Sequence, residues 1–299
     1  MTPRIDAHQH FWRLARGDYR WIKPELAPLY RDFEPADLAP HLQICGFDHT
    51  VLVQATDSIA ETEHLLALGD RHAFIAGVVG WVDLEASDAR EQLTRLARND
   101  KLVGIRPMLQ DLDDDAWILR ANLAPALRAL VELELRLDAL VRPHQLRSVC
   151  ELAARHADLP IVIDHGGKPC IADGGRAWNG FDAWRNEITR LASFDNVAVK
   201  LSGLVTEAGQ AWTVDRLRPF VDVLLTSFGP SRCLWGSDWP VVDLAGGYEH
   251  WWDATDKLLR ALDSRERDLV LGGSALRFYG IPLAAAGSVP TGAATRTAP

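Results

Sequence analysis

Apolar positions along the chain follow two alternating rhythms. Short runs rich in Val, Ile and Leu, bounded by turn residues, read as buried strands over 5–11, 50–55, 74–82, 102–108, 136–141, 160–165, 196–201 and 233–237. Between them the apolar residues recur at helical spacing, over 64–68, 91–98, 123–133, 146–155, 181–191, 214–225 and 251–262. Pro35 suits the first position of one more helix, running through Asp37, Leu38 and Ala39 and ending near Gly46. Eight strands alternating with eight helices predict an α/β fold, a closed (β/α)8 TIM barrel, as a single domain over residues 1–282. An open doubly wound sheet would call for G-x-G-x-x-G after the first strand, and the chain has none there. Two connections, 12–34 and 166–180, are long, as lids and binding loops are. Residues 283–299, mostly Ala, Gly, Ser, Thr and Pro, are expected to form a disordered tail.

The strand ends carry the chemistry. In an extended strand His8 and His10 share a face, with Asp6 behind them. Further along, the ends offer Gln54, Arg106, Arg142, Asp164-His165, Lys200, Ser202 and Ser237-Asp238-Trp239. His144, just past Pro143, is expected to begin the following helix. Barrels of this kind place their active sites at the C-terminal ends of the strands, and structural turns would show Gly, Asn or Ser there. So many ionisable groups at one rim predict a site.

Composition narrows the partners. The 299 residues are 47% hydrophobic and 24% charged, an ordinary balance for a soluble globular protein. A net charge of -9 argues against nucleic acid and anionic membranes. Cys45, Cys150, Cys170 and Cys233 form no C-x-x-C pair, and no apolar run approaches the ~20 residues of a membrane span. With no leader-like segment evident, a soluble cytoplasmic protein is expected.

Three motifs make the site specific: D-A-H-x-H-F-W from Asp6, D-H-x-G-K-P from Asp164, and W-G-S-D-W-P from Trp235. Together with Asp18-Tyr19-Arg20-Trp21 and the closing 271–279 segment, they resemble the amidohydrolase superfamily. The likeness is to its amidohydrolase-2 group, which holds sugar lactonases and 2-pyrone-4,6-dicarboxylate lactonase, and it runs from residue 4 to about 281. The closing motif has Ser274 where the group usually has Asn; either residue caps a helix well.

The resemblance implies a metal site built on H-x-H, a strand-four lysine or glutamate, histidines from strands five and six, and a strand-eight aspartate. Here those positions give His8, His10, His165 and Asp238, but Arg106 ends strand four and Arg142 ends strand five. Arginine stays protonated and cannot ligate a cation. A binuclear centre is therefore not expected. A single divalent ion such as zinc on His8, His10 and Asp238 satisfies the ligand count but is predicted not to be required.

The resemblance also implies hydrolysis of an aldono-lactone, such as fucono-, galactono- or rhamnono-lactone, with the small sugar lactone as the partner. Asp238 is expected to be the general base for water, with His8, His10 and His165 polarising the carbonyl. Arg106, Arg142, Gln54 and Lys200 are then expected to bind substrate, alongside Trp21, Trp239, Tyr19 and Trp12 as ring surfaces. Rival readings are a metal-dependent decarboxylase or amidohydrolase, a pyrone-dicarboxylate lactonase served by Arg106, Arg142 and Lys200, and a sugar-binding barrel without catalysis.

Overall fold

Eight parallel strands form one sheet in chain order: β1 (Ile5–Gln9), β2 (His49–Val53), β3 (Ile75–Gly80), β4 (Leu102–Ile105), β5 (Arg136–Ala139), β6 (Ile161–Ile163), β7 (Val197–Leu201) and β8 (Cys233–Trp235). The structure, a computed structural model, describes residues 2–174 and 177–282; the expected tail at 283–299 lies outside them. The sheet closes on itself where the Asp238 amide donates to the His8 carbonyl (2.8 Å) and the His10 amide to the Trp239 carbonyl (2.7 Å). Every predicted strand is present, and all but β7 end sooner than predicted because their last residues leave the ladder to form the rim.

Around the sheet lie α1 (Pro35–Cys45), α2 (Ile59–Arg71), α3 (Ala89–Leu96), α4 (Ala124–Glu132), α5 (Leu146–Arg155), α6 (Phe181–Ala192), α7 (Leu204–Ala208), α8 (Val214–Phe228), α9 (Tyr248–Leu258), α10 (Ser264–Asp268) and α11 (Ser274–Tyr279). Helix α1 starts as the sequence suggests. Pro35 occupies its first turn, the Asp37 carboxylate accepts from the Glu34 amide (2.8 Å), and Gly46 ends it in the left-handed region at φ 71°. Among the described residues no helix is long and apolar enough to cross a membrane.

The barrel interior is filled at its lower end by Ile5, Ala7, Val51, Val53, Val79, Val103, Val162, Ala198 and Leu234. Helix α11 closes that end, adding Ala275 and Tyr279 to the same cluster. Each fully buried Val or Leu contributes about 1.5–3 kcal/mol, so this plug is a large part of what holds the strands in register.

Two local expectations need correction. Between Asp6 and Gln9, β1 advances three residues while β2 advances two, from Thr50 to Leu52. This bulge breaks strict alternation. Ile5 and Ala7 belong to the interior cluster, whereas Asp6 faces outward and accepts hydrogen bonds from the Tyr248 hydroxyl (3.1 Å) and the Ser237 amide (2.8 Å). Asp6 is thus not part of the site; it ties β1 to β8 and α9. Ser274 does not cap α11 either: its hydroxyl donates to the Pro230 carbonyl (2.9 Å), joining α11 to the turn before β8.

Candidate active site

At the upper end of the barrel the interior turns polar. Just past the bulge, His8 and His10 face Asp238, which follows β8. Asp238 Oδ1 lies 3.4 Å from His10 Nε2, 3.7 Å from His8 Nε2 and 3.8 Å from His165 Nε2. Three imidazoles from two strands therefore converge on one carboxylate oxygen. Asp238 and His165 both adopt left-handed backbone conformations (φ 59° and 54°), a form that non-glycine residues take at some cost and that clusters at functional sites. Two glycines make room for the rings. A Cβ on Gly236 would meet His8 Cβ at 2.7 Å, and one on Gly203 would meet His165 Nδ1 at 2.6 Å.

The outer nitrogens are held as well. His10 Nδ1 faces the Val53 carbonyl at 2.8 Å, which fixes a proton there, and His165 Nδ1 meets Ser202 Oγ at 2.9 Å. Burial works against ionisation of Asp238, but the surrounding imidazoles outweigh it and hold the carboxyl well below its ordinary range. Burial pulls His165 down to about 4, and burial with the Lys200 charge pulls His8 well below its usual value. At neutral pH the centre is a carboxylate with those two imidazoles neutral.

Beneath it lies a balanced set of buried charges. Lys200 is fully buried; its ammonium donates to Asp138 Oδ2 (2.5 Å) and His8 Nδ1 (3.1 Å) and pairs with Asp164 Oδ1 (2.9 Å). Arg106 donates to Asp164 Oδ2 (3.2 Å), approaches His8 Nε2 (3.3 Å), and holds the Gln54 carbonyl. The Tyr279 hydroxyl donates to Asp138 from below (2.7 Å). Two cations thus face two carboxylates out of water, the pairing that buried charges require.

Above Asp238 opens a cavity of ≈ 250 Å³. Of the residues singled out in the sequence, Asp238, His10, His165, Arg106 and Trp21 line it. Trp21 reaches in from the long first loop, its indole N–H donating to the Ala55 carbonyl (2.7 Å). Glu61 of α2, with its carboxyl pushed up to about 7 by burial, accepts the Ala55 and Thr56 amides (3.0 and 3.1 Å) and so fixes that wall.

The other residues named for substrate binding lie elsewhere. Lys200 sits below the site, and the Gln54 amide is turned away to the Arg106 carbonyl (2.8 Å). Trp239 packs edge-on against Phe11 and Phe33, and Tyr19 and Trp12 pack together in the buried core. Arg142 is exposed, reaching only the Gln110 carbonyl (3.4 Å). Sequence reasoning missed Lys168 and Gln110, which line the cavity joined by a 2.8 Å hydrogen bond. Lys168 stands within the D-H-x-G-K-P motif, a signal that was present; Gln110, in a short turn after Pro107, gave none.

The carboxylate and imidazole donors around Asp238 are spaced much as metal ligands are. A tetrahedral zinc with bonds of about 2.0–2.1 Å holds its ligand atoms roughly 3.4 Å apart, close to the spacing around Asp238 Oδ1. His8, His10 and Asp238 therefore fit in distance, and His8, Asp164 and His165 form a second such group. The chemistry fits less well, because both His8 nitrogens face a cation.

The family model for the amidohydrolases matches residues 5–281. An L-fucono-1,5-lactonase of Burkholderia ambifaria is 46% identical over 94% of this chain and 97% of its own length. Another, from Burkholderia multivorans, is 37% identical over 93% of this chain and 96% of its own. The crystal structure of a Burkholderia multivorans amidohydrolase with bound zinc superposes with a TM-score of 0.88 at 38% identity, covering 94% of this chain and all of that one.

Proposed function

Since this chain belongs to the amidohydrolase family, we propose that it is a lactonase that opens the internal ester of a sugar lactone, with L-fucono-1,5-lactone as the substrate its relatives name. The observation that carries the mechanism is the ionised Asp238 at the cavity floor, ringed by imidazoles. Water above Asp238 gives up a proton to it while attacking the lactone carbonyl. His165 and Arg106, both at the cavity wall, stabilise the oxyanion, a role in which one donor typically contributes about 10²–10³ in rate. Asp238 then returns the proton to the departing ring oxygen, a shuttle worth ~10²–10⁴. His8 stands behind Asp238 and orients it, and His10 braces it from the β1 side.

The cavity suits a single sugar ring: it is smaller than the ~300–1,000 Å³ sites that enclose drug-sized ligands. Lys168 and Gln110 offer a donor and an acceptor to ring hydroxyls, and Trp21 offers an apolar edge. The pyrone-dicarboxylate reading loses ground here. Of its three expected cations only Arg106 reaches the cavity, and it is already paired with Asp164. A single divalent ion can settle on His10 and Asp238, but turnover does not need one. Four free thiols, Cys45, Cys150, Cys170 and Cys233, suit a reducing cytoplasm.

The test is a pH-stat panel of fucono-, galactono- and rhamnono-lactones against 2-pyrone-4,6-dicarboxylate. Fastest turnover of L-fucono-1,5-lactone is expected. Preference for the pyrone, or binding of sugar lactones without hydrolysis, would overturn the reading.

A further inference from the structure

Lys200, one of the residues named for substrate binding, is completely buried and does not line the cavity, yet it touches the site through His8. A neutral imidazole has one N–H and one lone pair, so it can accept a hydrogen bond at only one nitrogen. Lys200 approaches Nδ1 at 3.1 Å and Arg106 approaches Nε2 at 3.3 Å. Both are donors, so one must yield.

Burial decides which. Lys200 is 0% exposed, and its ammonium meets only Asp138, Asp164 and His8, so a proton turned away from Nδ1 would have no other acceptor. Arg106 lines the cavity, and its proton has Asp164 and water to turn to. The Lys200 contact is also the shorter of the two.

We propose that Lys200 fixes the tautomer of His8 with the proton on Nε2, making His8 a donor toward Asp238 and withdrawing its lone pair from any metal. In this position a buried ammonium takes the place of the ion that the rest of the donor set could hold. His10 shows the contrast. Its Nδ1 proton is held by the Val53 carbonyl. Two histidines two residues apart on one strand are thereby set in opposite tautomers, by a carbonyl in one case and an ammonium in the other. Lys200 is thus a positioning residue. The inference builds on the lactonase reading above, but its test needs no turnover, so the two can fail separately.

The first measurement uses wild-type protein labelled with ¹⁵N-histidine, whose ring-nitrogen correlations report which nitrogen carries the proton. His8, assigned by its loss in His8→Asn, is expected to show Nε2–H, and His10 to show Nδ1–H. The second measurement pairs Lys200→Met with Asp138→Asn, so that no buried carboxylate is left without its counter-charge. In that variant the His8 proton is expected to move to Nδ1, facing Asp164 Oδ1 at 3.4 Å. Zinc, titrated against a chromophoric chelator, is expected to bind about 10–100-fold more tightly than to wild type. A wild-type His8 protonated at Nδ1 overturns the proposal even if the variant fails to fold. Equal zinc affinity in the variant and wild type overturns it as well.

Discussion

The two ends of the barrel interior are made from the same strands and differ in nearly everything else. At the lower end, Val51, Val162, Leu234 and their neighbours interdigitate around Tyr279 of α11. At the upper end, positions further along the strands or just past them carry His8, Asp138, Asp164, Lys200 and Asp238, all buried. Within the upper end there is a second division. Lys200 and Arg106 balance Asp138 and Asp164 and leave nothing over, whereas Asp238 keeps its charge among the imidazoles and opens to the cavity. On the proposed mechanism, reactivity follows from an unbalanced charge placed on top of a balanced one.

Breaking the unbalanced charge should have the largest effect. Asp238→Asn is expected to lower kcat by about 10²–10⁴, with no loss of melting temperature, because removing the proton shuttle leaves the packing intact. A near-normal rate in steady-state assays would place the base elsewhere. Arg106→Met should cost ~10²–10³ in kcat/KM and also destabilise, since it strips Asp164 of one partner. A loss of rate without destabilisation would mean that the Arg106–Asp164 pair is not structural. Leu234→Ala tests the lower end alone. It should cost ~2–5 kcal/mol in denaturant unfolding and leave the rate per folded molecule unchanged.

The fold and much of the site are legible in the sequence, and the reasons for the misses are physical. Periodicity located all eight strands, because strands buried on both faces show as dense apolar runs. Asp238, His165, His10 and Arg106 could be placed at the cavity because they sit at strand ends, and Trp21 because it lies in the long first loop. Lys200 and Gln54 also sit at strand ends, but depth along the barrel axis cannot be read from a linear pattern: Lys200 stops one layer short of the cavity and finds Asp138 instead. Asp6 was misjudged because a one-residue bulge leaves no mark on the His-x-His spacing. Trp239 and Tyr19 carry aromatic rings that serve a core as readily as a sugar, and their neighbours Phe33 and Trp12 come from elsewhere in the chain. Gln110 reaches the cavity through the path of a loop, which no local pattern encodes.

Two pH effects are smaller and sharpen the same contrast. With His165 drawn down to about 4 and Asp238 below its usual range, kcat/KM should stay level from neutral pH to about 5. A limb near pH 6.5 in the rate profile would contradict neutral, buried imidazoles. Stability should move the other way. Burial raises Asp6 to about 6 and Glu61 to about 7, so the folded state holds protons that the unfolded chain has released. Their penalty is absent below the ordinary carboxyl range and complete above the raised values. Melting temperature is therefore expected to drop as pH rises from about 5 to 8, and Asp6→Asn with Glu61→Gln should flatten that drop.

The most direct measurement is the initial rate on L-fucono-1,5-lactone of enzyme stripped by exhaustive chelation, with metal content assayed in the same sample. An undiminished rate at less than one-tenth of a metal ion per chain (~0.1) is the predicted result, since in the proposed mechanism Asp238 and its neighbouring donors supply what the reaction needs. Activity lost on chelation and regained with zinc or manganese would contradict it.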